Sequence, residues 1–162
     1  MRRDVRNAVL TISGGTGTAV EVRLGDGDIS WTENTPRIYG MNQGEIYDVR
    51  YGDDAPCEIS FGFIWEELYA SSTEVTVYEA LQIPTGWNTS TDLCSPPAID
   101  LILTFPQCPV GTGAATNPGQ EVITFSDFRP ETLGPGLRDG QISVTGKIPT
   151  AKPTIAWTIH TT

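Results

Sequence analysis

The chain has 162 residues, with ten Lys+Arg against twenty Asp+Glu, for a formal net charge of −10. That length fits one domain with a core of its own. Seventeen Gly, twelve Pro and only 19% charged residues argue against a helix bundle or coiled coil. The acid excess argues against a protein that grips nucleic acid by its phosphates. No apolar run approaches the ~18 residues needed to span a membrane. Met1-Arg2-Arg3-Asp4 is not followed by an apolar stretch, so no secretory signal is expected. The charge is uneven: residues 1–81 carry six Arg and fourteen acids, whereas residues 101–120 carry no charge at all.

Period-two alternation dominates the chain. Ala8–Ile12 is apolar and β-branched, and Gly14–Gly17 ends it. Residues 19–33 alternate on both sides of the turn signal Gly25-Asp-Gly-Asp28, which predicts a β-hairpin. Residues 37–56 hold three Tyr and mixed charge without clean alternation, and read as a long excursion or irregular hairpin. Such a segment in a compact domain is usually functional or ordered by a partner. Cys57–Trp65 is the clearest strand, with Ile59, Phe61, Phe63 and Trp65 on one face, and is expected at the centre of the core. Ser71 and Glu74 have capping-box spacing, predicting a helix that Pro84 stops. A turn-rich linker over 84–98 precedes a strand at Ile99–Phe105. Two further strands, Glu121–Phe125 and Gln141–Gly146, flank a connector at 126–140, and Lys152–His160 gives the last strand. The expected fold is mainly β, a single domain over residues 1–162. It is a β-sandwich or partly closed β-barrel with one flanking helix.

Signs of catalysis are sparse. The single His160 has no G-x-S-x-G elbow to serve. Glu66 and Glu67 follow the clearest strand, but nothing singles out an acid of raised pKa for glycosidase chemistry. Cys57, Cys94, Cys108 and His160 lack a close C-x-x-C pair, so no metal site is expected. Gly25–Asp28 lacks the later oxygen ligands of a calcium loop, and Ser13–Gly17 lacks the G-K-[ST] of a phosphate loop. No cofactor is expected. The cysteines have two readings: three thiols behaving as small apolar residues, or disulfide use. In the second, Cys94 pairs with Cys108 and Cys57 is left for another chain. Oxidation would then follow release from the cytosol.

Two stretches carry a family pattern. The first is Gly27-Asp-Ile-Ser-Trp-Thr-Glu33, then Gly44-Glu-Ile-Tyr-Asp-Val-Arg-Tyr-Gly-Asp-Asp-Ala-Pro-Cys-Glu-Ile-Ser-Phe-Gly-Phe-Ile-Trp-Glu66. The second is Ile123-Thr-Phe-Ser-Asp-Phe-Arg129, then Leu137-Arg-Asp-Gly-Gln-Ile-Ser-Val-Thr-Gly-Lys147. Together, over about residues 19–148, they resemble the tail tube (major tail) proteins of long-tailed bacteriophages. The resemblance implies six copies in a ring, inner strands joined around a lumen, stacked rings, and DNA passing through on infection. It implies no enzymatic activity. The partners implied are the chain itself, tail sheath, tape-measure, and baseplate or tail-terminator proteins. The place implied is the virion tail, assembled in the host cytoplasm.

On this reading the segment at 37–56 is the inter-ring arm. Tyr and Arg are preferred interface anchors, so Arg37, Tyr39, Tyr47, Arg50, Tyr51, Asp53 and Asp54 are the expected inter-subunit contacts. The lumen candidates are the 19–33 hairpin and the strand at 57–65. Their acids Glu21, Asp26, Asp28, Glu33 and Glu58 would repel phosphates and let DNA slide without sticking. Two alternatives are a capsid decoration or tail-completion protein, and a carbohydrate-binding β-sandwich. The second would use tryptophans as sugar platforms; Trp31, Trp65 and Trp157 fall on or beside apolar strand faces, which leaves Trp87 as the loop candidate.

Overall fold

The computed structural model describes residues 8–15, 19–22, 24, 29–64, 75–84, 86–90, 94–106, 120–136 and 140–158. Along them run β1 (Val9–Ser13), β2 (Val20–Val22), β3 (Ser30–Thr32), β4 (Arg37–Asn42), β5 (Glu45–Tyr51) and β6 (Cys57–Ile64). Helix α1 (Val77–Leu81) follows, then β7 (Ile99–Pro106), β8 (Gln120–Gly136), β9 (Gln141–Ile148) and β10 (Thr154–Thr158). All the strand pairs are antiparallel.

One strand belongs to both layers. The first part of β8 lies between β7 and β10, and β7 leads outward to β1 and β2. From Arg129 onward β8 pairs instead with β9, which leads to β6 and β3. The change falls at Asp127, which has φ +57°, a left-handed conformation uncommon for a residue with a Cβ. The register between β7 and β8 slips there, between Ile99 and Leu101. The carboxylate of Asp100 accepts the Asp127 N–H at 2.9 Å, satisfying a donor at the interruption of the ladder. A second slip, between Pro130 and Thr132, follows opposite Gly146. Pro130 sits at this irregularity, a position where a strand tolerates a missing N–H.

The two layers close on one apolar core. Leu10, Ile12, Leu101, Leu103, Ile123 and Phe125 come from one sheet. Ile59, Phe61, Phe63, Ile142, Val144 and Ile148 come from the other. Trp31 of β3 meets Phe125 edge-on at 5.6 Å, and Phe61 lies 6.2 Å from Phe128. Aromatic pairs in such geometries add to burial. The arrangement is a β-sandwich, and the sheets are not closed into a barrel.

Several expectations change. The 19–33 hairpin does not form: β2 pairs with β1 and β3 with β6, in different layers. An isolated bridge from Leu24 to Phe63 marks the crossing. Alternation identifies the faces of a strand and leaves its partner open. β6 has the expected alternating burial but lies between β9 and β3, so β8 is the central strand. The expected connector at 126–140 is strand as far as Gly136. The helix is short, and its capping box is Thr76 with Glu79. Ser71 and Glu74 lie outside the described residues. Ala80 and Leu81 are its buried residues.

Gly146 is required at the bend. A Cβ there would run into the carbonyl of Arg129 and the ring of Phe128. Gly146→Ala is therefore expected to destabilise the fold by about 1–3 kcal/mol, the usual cost of overpacking. Urea unfolding of this variant and of Gly62→Ala separates crowding from loss of glycine as such, because a Cβ at Gly62 would meet only the Ile142 carbonyl oxygen, at an ordinary 3.7 Å.

Candidate functional site

β4 and β5 form a hairpin that is a two-stranded sheet of its own, apart from the sandwich. Its tip is a two-residue turn in which Gln43 (φ 50°) and Gly44 (φ 87°) are both left-handed. This is the type I′ geometry that matches the twist of a tight hairpin. Its base is closed where the Gly52 N–H donates to the Pro36 carbonyl at 2.9 Å.

The register creates an amphipathic arm. Arg37 faces Tyr51, Tyr39 faces Val49, and Met41 faces Ile46. Directly opposed residues share a face. A slip between Gly40 and Met41 makes position 47 the extra residue of a bulge. Without it, Met41 would oppose position 47, and Ile46 would fall on the other side. With it, Tyr39, Met41, Ile46, Val49 and Tyr51 line one face, and all five are exposed. Ile38, Asp48 and Arg50 lie on the opposite face.

Charge orders the arm. The Arg37 guanidinium lies 4.4 Å from the Tyr51 ring centroid. Its hydrogen bond and positive charge hold the Tyr51 phenol below its ordinary pKa. Arg50 Nε meets Asp48 Oδ2 at 2.7 Å along β5. A two-stranded hairpin alone is marginal in water, so turn, bulge and these contacts together hold its shape.

The arm thus gathers Arg37, Tyr39, Arg50 and Tyr51, with Asp53 and Asp54 exposed just beyond it. The side chain of Tyr47 is outside the described residues. Sequence reasoning missed Met41, Ile46 and Val49, because the bulge breaks the alternation that would have revealed them.

The described acidic candidates, Glu21, Glu33 and Glu58, do not share one sheet. Glu58 on β6 is opposite Thr32, so Glu33 lies at the same end of the second sheet, where it accepts the Trp31 Nε1–H at 3.4 Å. Lys147 bridges Glu58 (3.7 Å) and Glu131 (3.3 Å) on that sheet. Glu21 is on β2 of the first sheet. Asp26 and Asp28 are outside the described residues.

Two tryptophans reverse their expected places. Trp87 is 4% exposed, whereas Trp157 is 49% exposed on β10 and Trp31 is half-buried. Gly14 lets the chain pass close over the Trp87 carbonyl, sealing that loop onto the core. Trp65 is outside the described residues, so no loop tryptophan offers an exposed platform among those described.

Cys57, a candidate for an interchain bond, is wholly buried in the core as a free thiol. Another chain could reach it only after unfolding. Cys94 is exposed. Cys108 lies outside the described residues, as do His160, Glu66 and Glu67. Among the described residues no group of three His, Cys, Asp or Glu could hold a metal ion, and no helix is long and apolar enough to cross a membrane.

No family model and no curated protein matches the sequence. Among solved structures, the chain is similar to one from the sheath/tube terminator, in the extended state, of an extracellular contractile injection system (PVC). The TM-score is 0.58, with 9% identity over 98% of both chains. A chain of the PVC sheath-tube complex in the extended state gives a TM-score of 0.48 and 11% identity, over 93% of this chain and 88% of that one. The first of these likenesses shows a shared fold.

Burial raises the Cys57 thiol pKa above its ordinary value, and the nearby Glu33 carboxylate adds to the shift. The folded chain therefore keeps the proton after the unfolded chain has lost it. The stabilising contribution is complete below the ordinary thiol pKa and is lost as pH rises through the folded value. Denaturant midpoints should fall more between about pH 8 and about pH 10 for the wild type than for Cys57→Ala. Equal slopes would remove Cys57 from the alkaline transition.

Proposed function

We propose that the chain is a structural subunit of a tail-like tube, working by assembly and without catalysis. Copies associate into hexameric rings, and the rings stack around a lumen that passes DNA, as part of a virion tail. The observation that carries this reading is the arm: a well-formed hairpin outside the sandwich, with an uncovered apolar face. Patches of this kind on a soluble chain mark interaction surfaces. The fold shared with a chain of an injection-system terminator supports a tail role, as does the pattern in residues 19–148.

In this proposal Arg37, Tyr39, Tyr47, Arg50, Tyr51, Asp53 and Asp54 make inter-subunit contacts. The arm and sandwich also meet sheath, tape-measure, baseplate or terminator components. The acids of the second sheet, Glu33 and Glu58, are the better lumen candidates, with Glu21 displaced to the other layer. A second reading is favoured by the same likeness: a tail-completion protein that forms one ring and caps a tube made by another chain.

Negative-stain electron microscopy of the purified protein tests both. Tubes are expected of a tube subunit and isolated rings of a terminator; a monodisperse monomer at high concentration would sink both. Replacing residues 37–51 by two glycines should leave a folded sandwich, since Pro36 and Gly52 are already in contact. That variant should show an unchanged unfolding midpoint and no stacking. Stacking that survives would overturn the role of the arm.

A further inference from the structure

Beside the corner of β8 the described residues leave a groove of about 350 Å³. Three separate segments wall it: the end of α1, the linker at Pro96-Pro97, and β8 from Arg129 to Leu133. The walls are mostly apolar, made by Leu81, Ile83, Pro96, Pro97, Pro130 and Leu133. Proline has a fixed φ, so these walls lose little freedom when they are covered. Ile83 has φ +52°, an outlier for a β-branched residue, and strain of this kind gathers at sites that clamp a ligand. No residue of the molecule's own arm lines the groove.

One fixed cation stands in this apolar setting. Arg129 Nε donates to the Pro96 carbonyl at 3.3 Å, and Nη2 to Ser95 Oγ at 3.0 Å, so the guanidinium is held in place. A guanidinium has five N–H donors. Among the described residues no carboxylate lies within ion-pair reach of Arg129. Glu131, the acid of the groove, is engaged by Lys147 at 3.3 Å.

The tip of the arm carries the complement. Met41 and Ile46 oppose each other there, 59% and 58% exposed. Glu45 adjoins them, is exposed, and has no cation within ion-pair reach among the described residues. Other charges of the arm are already engaged: Asp48 with Arg50, and Arg37 over Tyr51. A two-residue turn makes the tip narrow, so an end-on approach presents both of its faces at once.

We infer that the arm tip of one copy inserts into this groove of a second copy, with Met41 and Ile46 against the apolar walls and the Glu45 carboxylate on Arg129. The inference rests on the reading of the chain as self-assembling, and names the site that receives the arm. Tip and groove are different patches, so the contact is heterologous. Each copy keeps one unused half for the next, which leads to rings or filaments. Pairing of arm with arm would instead stop at dimers.

Mixing two disabled chains tests this. One carries Met41→Arg and Glu45→Arg at the tip. The other carries Gln82→Trp, which fills the groove from an exposed lining position and leaves the hydrogen bonds of Arg129 in place. Each alone should stay monomeric in analytical ultracentrifugation where the wild type assembles. Association of the tip variant with itself should be weakened by about 100-fold or more, as for charges placed in an apolar anchor site. Mixed, the intact groove of the first and the intact tip of the second should give a 1:1 heterodimer and nothing larger.

A Gln82→Trp chain that assembles like the wild type overturns the inference. So does a mixture that stays monomeric while circular dichroism shows both chains folded. If Gln82→Trp does not fold, a photoreactive benzoylphenylalanine at position 41 of the otherwise unchanged chain replaces it. Interchain crosslinks mapped to residues 81–83, 96–97 or 129–133 are expected, and crosslinks elsewhere or none overturn the contact. Tubes formed by Gln82→Trp chains would discard this contact and leave the tube reading standing. Heterodimers from the mixture, with wild-type assemblies that are neither rings nor tubes, would do the reverse. A wild type that stays monomeric at high concentration overturns both.

Discussion

The bend in β8 at Asp127 is the constraint on which the rest of the structure depends. A single strand crosses from one sheet to the other, so the two layers share one backbone. A crossing of this kind breaks a hydrogen-bond ladder, and a broken ladder leaves donors to satisfy. The Asp100 carboxylate takes the Asp127 N–H. Arg129, just past the bend, donates to the Pro96 carbonyl and to Ser95 Oγ, tying the 94–98 loop to the corner. Thr89 donates to the Ala98 carbonyl from both its N–H and its hydroxyl. The turn-rich linker is therefore bracing for the corner, and Phe125 and Phe128 can enter the same core from either side of it.

Much of this architecture was legible in the residues. The apolar face of β6, the strands β1, β7 and β9, and the mainly β class follow from alternation and from prolines and glycines between the runs. What was hidden has a common cause. Alternation is a local signal, and it loses phase at every bulge. The slips at Asp127 and Pro130 made the second half of β8 look like a connector. The slip between Gly40 and Met41 made the arm look irregular, although its tip and face are orderly. Partner choice was equally invisible: Val20–Val22 and Ser30–Thr32 each bind a longer neighbour in a different layer. Burial at the edge of a sheet is likewise a property of the opposing layer. That is why Trp157 lies open while Trp87, in a loop, is sealed.

The candidate site was legible by position more than by residue. Unusual composition drew attention to residues 37–56, and Tyr and Arg stood out as anchors. The aliphatic members of the apolar face did not, because their common side exists only after the bulge. The acid excess also takes a different form in three dimensions. Part of it, at Glu58 and Glu131, is met by Lys147 on the second sheet. Part of it flanks the apolar face of the arm. There it discourages indiscriminate association between copies whose net charge is −10.

The detachment of the arm from the sandwich separates two kinds of cooperativity. The residues of the hydrophobic core come from the sandwich, α1 and the braced linker, and none comes from β4 or β5. Folding is thus decided by the sandwich, while the arm is shaped by its own turn, bulge and ion contacts. A substitution on the arm face should leave the unfolding transition where it was. A substitution at the corner of β8 does the opposite. The chemistry of the arm face can therefore change without renegotiating how the chain folds.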